Sequence, residues 1–594
     1  MHVIGLVVGA LGLVMIGVPA VVTLARRFFG TQIPSAGPIV QHLTLWVGFL
    51  GAFLATGAGK HLSLSTSEAI PPRFRRAASF VTRTAAASVS ALLTVASYRV
   101  VAADSTSGRM LFVGVPIAWS EAIMPVGFGL MAVRFAFGTV TAPAGWTERI
   151  ASIALAGLAL GLGWFSPAGW LVWLLGGLLF LAFLAGAPVF TAMGGLAMLL
   201  FWKDGTPIAS VPAETFQLAS SATLPAIPLL TIAGYVLAEG GAAQRLVRAY
   251  KGFFGWMPGG VAVMTTAVCA IFTTFTGGSG VTILALGGLL LPMLEAEKYP
   301  EGFSLGLVTA AGSLGLLFPP SLPVILYSVV AQVPMQHLYL GGLFPGLLMA
   351  AMVAGYGIYV GVKNRVPRQP FHGKEALSGL WNAKWDLGLP VVVIGGVVSG
   401  YATVVEAAAL GCAYSLVVEM AVFRAIHPWN DLPRVLATAS TLVGSVIILL
   451  GVAMGLSSWL VDAEIPTTLL DWTTTHIKSP WLFLLALNVG LLLLGSVLEI
   501  YAAIIVLAPL VAPIGAAYGI DPVHLGVVFL ANLELGFLFP PMGLNLFLSS
   551  SRFQKPLPYL YARTAPFLVI LAVGVLLITY FDVMTTGVAK LFLK

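Results

Sequence analysis

Two glutamates and two asparagines lie within long apolar stretches, where polar side chains are rare. Glu499 and Glu534 each fall inside such a run, and Asn532 and Asn545 flank Glu534. A carboxylate inside a membrane costs about 2.5–3.5 kcal/mol on insertion scales, so a functional site is the first hypothesis. The four side chains could bind a cation or cap a half-helix. A packing hydrogen bond or a position among the headgroups is the alternative.

Other groups that could do chemistry predict no further site. Glu406 and Glu419, in another apolar run, are interpreted as interfacial. The histidines show no metal-ligand spacing, and neither paired intramembrane aspartates nor a zinc motif supports an enzyme. Cys269 and Cys412 lie in apolar stretches and predict neither a disulfide nor a metal site. We therefore expect a protein that is not an enzyme and has no cofactor.

The tripeptide Phe-Pro-Pro occurs twice in the middle of apolar runs, as Phe318-Pro319-Pro320 and Phe539-Pro540-Pro541. Adjacent prolines remove two backbone donors and disfavour a helix at the preceding residue. In a bilayer such a break is tolerated only where the freed groups face protein or a water-filled cavity. The surroundings repeat at an offset of 221 residues with weak identity. Paired interrupted helices of this kind indicate a transport site.

A second kind of interruption precedes each Phe-Pro-Pro. A short tip lies between two apolar arms in each half. In the first half the tip is at about 276–280 and the arms are at about 257–275 and 281–294. In the second half the tip is at about 495–499 and the arms are at about 480–494 and 500–516. This arrangement predicts two re-entrant helical hairpins, with close packing at small residues as the alternative. Carbonyls ending one half-helix can hold a sodium ion, and amides beginning the next can hold a carboxylate. Because neither tip contains Lys or Arg, cations and dipoles would balance an anionic substrate.

The composition fixes the class of protein that must position these groups. The chain has 594 residues, of which 59% are hydrophobic and 9% charged, and its mean hydropathy is +0.99. This is too apolar for a soluble core and predicts an all-α polytopic membrane protein with about 14 to 17 apolar segments. The net charge of +7 is scattered over loops. It therefore indicates orientation in a lipid bilayer and not binding to nucleic acid.

Breakers and charges along the chain predict its organisation. Four apolar segments in residues 1–140 form a scaffold part, residues 141–167 hold a linker and a joining helix, and residues 168–594 hold the transport region. Within that last region we expect repeat 1 at about 226–361, an amphipathic interfacial stretch at about 363–386 and repeat 2 at about 435–583.

Two details set the orientation of these parts. The run 387–424 is too long for one span, so we expect two crossings split near Ser399 and Gly400, which would invert the repeats. The loop with Lys60, Arg73 and neighbouring arginines is the most basic short loop of the first part. It predicts a cytoplasmic loop and a cytoplasmic N-terminus.

Several motifs resemble the membrane subunits of the tripartite ATP-independent periplasmic (TRAP) transporters. The motifs similar to the large subunit are Gly312–Ser321, Gly519–His524, Asn532–Gly536 and Pro540–Leu546. Those similar to the small subunit are Trp46–Gly51 and Gly57–His61. The likeness covers nearly the whole chain, in the order of small subunit, joining helix and large subunit. It looks like a natural fusion of the two.

The resemblance implies a sodium-driven importer of the bacterial inner membrane. Its substrate would be a small organic acid delivered by a periplasmic binding protein, and an elevator with two hairpins and two broken helices would move it. Sodium ions would be coupling ions, with candidate ligands Ser279, Gly315, Pro319, Gly495, Gly536, Phe539 and Met542. Candidate substrate-binding residues, between and around the tips, are Thr276, Gly277, Gly278, Ser321, Thr403, Glu499, Asn532 and Asn545.

Some positions depart from the family pattern. Phe539 stands where the family usually has Thr, so only its backbone carbonyl could replace the hydroxyl. A single serine, Ser279, stands where two are usual, and the turn at Thr403 lacks the family's proline. The alternative function is a sodium- or proton-coupled carboxylate or anion transporter that needs no binding protein.

Overall fold

The computed structural model describes residues 2–30, 36–61, 63, 71–112, 114–138, 145–164, 169–367, 371, 373–540 and 543–592. The part of the chain so described is almost entirely helical, and its only strands are the antiparallel pair β1 (Met110–Phe112) and β2 (Val115–Pro116). The expected all-α membrane fold is therefore confirmed. Most of the linker expected at residues 141–146 lies outside the described residues.

The helices follow the apolar runs of the sequence and end mostly at glycine, proline or polar residues. Those before residue 226 are α1 (His2–Phe29), α2 (Ala36–Ala58), α3 (Arg75–Ser107), α4 (Ile117–Glu121), α5 (Ile123–Phe137), α6 (Trp146–Leu162), α7 (Gly169–Leu184), α8 (Val189–Lys203) and α9 (Ser210–Ala219). The next group comprises α10 (Ala226–Glu239), α11 (Ala242–Phe254), α12 (Gly260–Thr276), α13 (Ser279–Ala296), α14 (Glu301–Ala311), α15 (Leu322–Ala331), α16 (Met335–Lys363), α17 (Gly373–Val398) and α18 (Val404–Val417). The last group comprises α19 (Leu432–Asp462), α20 (Ile465–His476), α21 (Pro480–Gly495), α22 (Ile500–Ala517), α23 (Pro522–Gly536), α24 (Leu544–Phe553), α25 (Leu557–Tyr580) and α26 (Val583–Phe592). Short 3₁₀ turns cover Pro72–Phe74 and Leu314–Leu317, and a π-helical turn covers Val418–Val422.

Ten helices of the described chain are long and apolar enough to cross a membrane, or up to twelve if each of two bent helix pairs is one span. The predicted count of apolar segments is higher. The difference arises because the hairpin arm α21 and the broken-helix half α23, among others, are apolar but shorter than a full span. Sequence hydropathy cannot distinguish such half-helices from complete crossings.

The contacts divide the chain into two compact units. Unit 1 consists of Met1–Leu229 with Trp429–Thr468, and unit 2 consists of Leu230–Pro428 with Leu469–Lys594. In unit 1, α19 packs along α2 so closely that a methyl group on Gly51 or Gly444 would collide with the opposite backbone. Small residues allow helix backbones to approach in this way. In unit 2, both hairpins and both interrupted helices pack together.

The breaks lie where the sequence predicts them. The first hairpin turns between Thr276 and Ser279, and the second turns between Gly495 and Ile500. The first Phe-Pro-Pro separates α14 and its 3₁₀ turn from α15 with a bend of 44°, and the second falls in the gap between α23 and α24. The expected split of 387–424 is confirmed, since α17 ends at Val398 and α18 begins at Val404.

Two features differ from the sequence expectations. Residues 373–386 of the expected amphipathic stretch are not a separate element, because α17 continues without a break from Gly373 into the apolar run that ends at Val398. Residues 368–370 and 372 of that stretch lie outside the described residues. Pro390, four residues beyond Asp386, lies inside this helix and does not end it. The second feature is a bend of 70° between α10 and α11, at Gly240 and Gly241, which was not predicted.

Candidate functional site

The first hairpin tip lies against the start of α15. Gly277 follows the last residue of α12 and has a φ of 68°, a backbone region that favours glycine. A methyl group there would collide with Leu322, the first residue of α15. The tip and the first Phe-Pro-Pro break are therefore in direct contact.

Threonines of α12 satisfy carbonyls that the first break frees. The hydroxyl of Thr273 donates to the Gly312 carbonyl at 2.9 Å, and that of Thr274 donates to the Gly315 carbonyl at 3.1 Å. Gly315 lies directly on the α12 backbone, and a side chain there would collide with Ala270 and Thr274. Backbone carbonyls buried away from water need such partners. The interrupted helix is thus held by its hairpin.

The second half repeats this contact. A methyl group on Gly536 would lie 2.7 Å from the carbonyl carbon of Gly495, at the end of the first arm of the second hairpin. The offset of 221 residues that relates the two Phe-Pro-Pro segments also relates Gly315 to Gly536 and Thr274 to Gly495. The weak sequence symmetry therefore corresponds to the same packing of hairpin on broken helix.

The two hairpin tips meet through Tyr501. Its hydroxyl, on the second residue of α22, donates a hydrogen bond to the Gly277 carbonyl of the first tip. The Glu499 carboxylate of the second tip accepts a hydrogen bond from the Tyr501 backbone N–H at 2.9 Å and caps α22. Gly280 contacts Leu548 of α24. The N-terminal parts of α13, α15, α22 and α24 are thus linked by contacts, which places positive helix-dipole ends around one region.

Several buried oxygens near the tips and breaks have no hydrogen-bond partner among the described residues. They are the Ser279 hydroxyl, the Asn545 side-chain carbonyl and both oxygens of Glu534. All three side chains are at most 2% exposed. Unpaired buried oxygens are costly, and oxygen is the ligand that hard cations such as sodium prefer. These oxygens are therefore candidate ligands for a small cation.

The remaining candidates around the first tip make local hydrogen bonds. The Thr276 hydroxyl donates to the Phe272 carbonyl at 3.1 Å, and the Ser321 hydroxyl donates to the Leu316 carbonyl. Pro319 is buried within the break, and Gly278 caps α13 with its backbone extended. These residues shape the tip and break.

Three candidates near the second break already take part in hydrogen bonds. The Asn532 amide donates to Asn488 and to its own helix, each at 2.8 Å. The Phe539 carbonyl, expected to replace a missing hydroxyl, accepts from the Gly543 N–H at 3.2 Å. Met542 lies outside the described residues. Asn545 is held by a bond from its amide to the Thr309 carbonyl at 3.1 Å, which leaves its own side-chain oxygen available.

Three acidic or hydroxyl side chains make contacts away from the tips and breaks. Thr403 and Glu406 form a reciprocal capping box at the start of α18. Glu419 is fully buried and accepts a hydrogen bond from Arg245, and its position at the membrane interface stays a prediction. The sequence reasoning assigned no role to Arg245, because its partner Asp386 is 141 residues away in the chain.

Sequence reasoning also missed Tyr501 and, among the threonines of α12, Thr273 and Thr274. Tyr501 stands next to a predicted tip, but one tyrosine in an apolar run gives no signal of a bond to the other tip. The three threonines within Thr273–Thr276 were a signal, since an apolar arm rarely needs three hydroxyls so close to its end. Thr273 and Thr274 donate to carbonyls that the proline break frees, whereas Thr276 donates within its own helix.

Comparison with known proteins identifies the family. Residues 176–584 match the family described as Tripartite ATP-independent periplasmic transporter, DctM component. Residues 15–144 match the Tripartite ATP-independent periplasmic transporters, DctQ component.

Individual relatives agree with these matches. The chain is 34% identical over 388 residues to the C4-dicarboxylate TRAP transporter large permease protein DctM of Pseudomonas aeruginosa, covering 65% of this chain and 90% of that protein. It is also 34% identical over 472 residues to the isethionate TRAP transporter permease protein DctMQ of Oleidesulfovibrio alaskensis, covering 77% of this chain and 72% of that protein. A crystal structure of the YdaH transporter of Alcanivorax borkumensis shares 16% identity at a TM-score of 0.43, over 60% of this chain and 84% of that one.

The matched families and the relatives named above are transporter permeases and not enzymes. The two families match consecutive parts of one chain, in the order that the sequence motifs predict. The chain therefore belongs to the tripartite ATP-independent periplasmic transporters, as a multi-pass membrane permease in which the small and large components are joined.

Proposed function

We propose that this chain imports a small organic acid across the bacterial inner membrane, driven by an inward sodium gradient. The family works with a periplasmic binding protein, and we infer that such a protein delivers the substrate here. Unit 2 would carry the substrate in an elevator movement, and the N-terminus would be cytoplasmic. The printed names of the two relatives, a C4-dicarboxylate and an isethionate transporter, support a small organic anion as the substrate class.

One observation supports the proposal most directly, namely the meeting of the two tips beside buried oxygens that lack partners. Helix N-termini offer amides to an anion, while Ser279 and Asn545 offer unpaired oxygens to a cation. Neither tip contains a basic side chain that could balance a carboxylate. Coupled binding of sodium and an anion would satisfy both sets of groups together.

The test is uptake into proteoliposomes that contain the purified chain. Radiolabelled C4-dicarboxylates and isethionate serve as the first substrates, each supplied with the binding protein encoded nearest to this gene. We expect uptake only when the binding protein and an inward sodium gradient are both present. Undiminished uptake after removal of either one would refute the corresponding part of the proposal.

The alternative of a transporter without a binding protein predicts a different result. Such a protein would transport free substrate at the same rate with or without the soluble partner. The DctQ match over residues 15–144 supports the first function, because that component belongs to the tripartite systems by its description. Replacing the sodium gradient by a proton gradient in the same vesicles distinguishes the two coupling ions.

A further inference from the structure

Helix α11 and the first half of α17 form a closely packed pair in unit 2. A methyl group on Gly252 of α11 would lie 2.9 Å from the Ala376 backbone, and one on Gly379 of α17 would lie 2.9 Å from that of Ala249. Ala376 and Ala383 of α17 are fully or almost fully buried. Small residues on both helices thus let the two backbones touch, which fixes their faces relative to each other.

A buried ion pair secures one end of this helix pair. The Arg245 guanidinium of α11 donates two hydrogen bonds to the Asp386 carboxylate of α17, at 2.6 and 2.7 Å. It also donates to Glu419 and, at 2.8 Å, to the Gly240 carbonyl at the bend before α11. Bidentate pairs of this kind impose geometry as well as attraction. The outer face of the pair is therefore a preformed surface.

That outer face carries basic and aromatic side chains together. Leu377 and Trp381 of α17 are each 66% exposed, and the Lys384 ammonium lies 3.2 Å from the centre of the Trp381 ring. The described basic residues of this face of α11 and α17, which we call the basic platform, are Arg248, Lys374 and Lys384. Between residues 363 and 386 the only acidic residues are Glu375 and Asp386, and the second is buried in an ion pair with Arg245.

We propose that the basic platform binds the headgroups of anionic phospholipids. An amphipathic surface with Trp and Leu beside Lys and Arg seats its apolar groups at the acyl boundary and its cations among the phosphates. The excess of positive charge selects lipids with a net negative headgroup over zwitterionic ones. Because α17 continues into the apolar run that ends at Val398, the platform lies at one end of a helix whose other half is apolar. The inference is independent of the transported substrate and of the coupling ion.

The test measures the thermal unfolding midpoint of the full chain in detergent as phosphatidylglycerol or phosphatidylcholine is added. We expect phosphatidylglycerol to raise the midpoint at concentrations where phosphatidylcholine does not. For the same rise of the midpoint, the variant Arg248→Gln/Lys374→Gln should need about fivefold more phosphatidylglycerol for each residue neutralised. The matched control Lys60→Gln/Lys478→Gln makes the same change of charge at exposed positions elsewhere and should respond like the wild type.

Each remaining outcome decides against the proposal. Equal loss of the lipid response in the platform variant and the control would assign the preference to overall charge. An equal response of the wild type to both lipids would exclude selective binding. If the neutral variant does not fold, two other measurements decide. The charge-conserving variant Arg248→Lys/Lys374→Arg must keep the preference for phosphatidylglycerol over phosphatidylcholine. In the wild type, 0.5 M salt must weaken that preference about as much as the neutral substitutions would. Failure of either result overturns the proposal.

Discussion

Tyr501→Phe removes the only hydrogen bond, among the described residues, from a side chain of the second hairpin to the backbone of the first tip. Tyr501 is 4% exposed, and its hydroxyl donates to the Gly277 carbonyl. The substitution keeps the ring, its packing and the backbone N–H that Glu499 accepts. It therefore tests the joining of the tips without changing either tip's own residues.

The size of the effect follows from the burial of both partners. A net hydrogen bond contributes about 0.5–1.5 kcal/mol, and a buried acceptor left without a partner costs about 1–3 kcal/mol. A loss of about 1 kcal/mol corresponds to about a fivefold change in an equilibrium. If the joined tips are the state that binds sodium and substrate, the population of that state falls by about this factor.

The assay is sodium-dependent uptake in proteoliposomes at saturating binding protein and substrate. We expect the sodium concentration for half-maximal uptake to rise about fivefold in Tyr501→Phe, while the maximal rate changes less. Tyr339→Phe is the matched control. Tyr339 is 1% exposed in the same unit, but its hydroxyl has no hydrogen-bond partner among the described residues. Its removal should leave the sodium dependence unchanged.

Two results would refute the reasoning. Wild-type sodium dependence in Tyr501→Phe would show that the bond between the tips does not contribute to ion binding. An equal effect of Tyr339→Phe would show that any buried hydroxyl in unit 2 matters, and the tips would have no special role.

Three further substitutions test separate contacts. Gly536→Ala should abolish uptake, because its methyl group would lie 2.7 Å from the Gly495 backbone. In the control Gly490→Ala the methyl group meets nothing within 4 Å, so uptake should be normal. Equal uptake rates in the two variants would contradict the close contact. Arg245→Ala leaves two buried carboxylates without their cation. We therefore expect the free energy of unfolding to fall by about 3–5 kcal/mol, seen as a lower unfolding midpoint. An unchanged midpoint would show that the ion pair does not contribute to stability. Ser279→Ala should raise the sodium requirement without lowering the unfolding midpoint, and wild-type sodium dependence would remove Ser279 from the candidate ligands.

The positions of the breaks could be predicted because their causes are local. Two prolines disfavour a helix wherever they stand, so Phe318 and Phe539 marked both interruptions without any knowledge of neighbours. The hairpin tip at Gly277 was visible for the same reason, since small flexible residues divide two apolar arms. The inversion of the repeats, the elevator movement and the sodium ligands stay predictions.

The contacts that assemble the site could not be predicted, because each joins residues far apart in the chain. Tyr501 reaches Gly277 across 224 positions, and Arg245 reaches Glu419 across 174. A single sequence shows polar residues in apolar runs but not their partners. Glu419 was therefore interpreted as interfacial, with no sign of the arginine in another helix that pairs with it. Half-helices were likewise counted as membrane spans, because hydropathy measures how apolar a run is and does not show where a turn divides it.

The glycine contact between α2 and α19 has a consequence for how the transporter is assembled. Gly51 lies in the part that matches the small component, and Gly444 lies in the part that matches the large one. Separate polypeptides would have to find each other by diffusion and could be made in unequal amounts. In one covalent chain the ratio is fixed at synthesis, and tethering raises the effective concentration of each partner to about the millimolar range. The interface can therefore remain weak and yet be permanently formed.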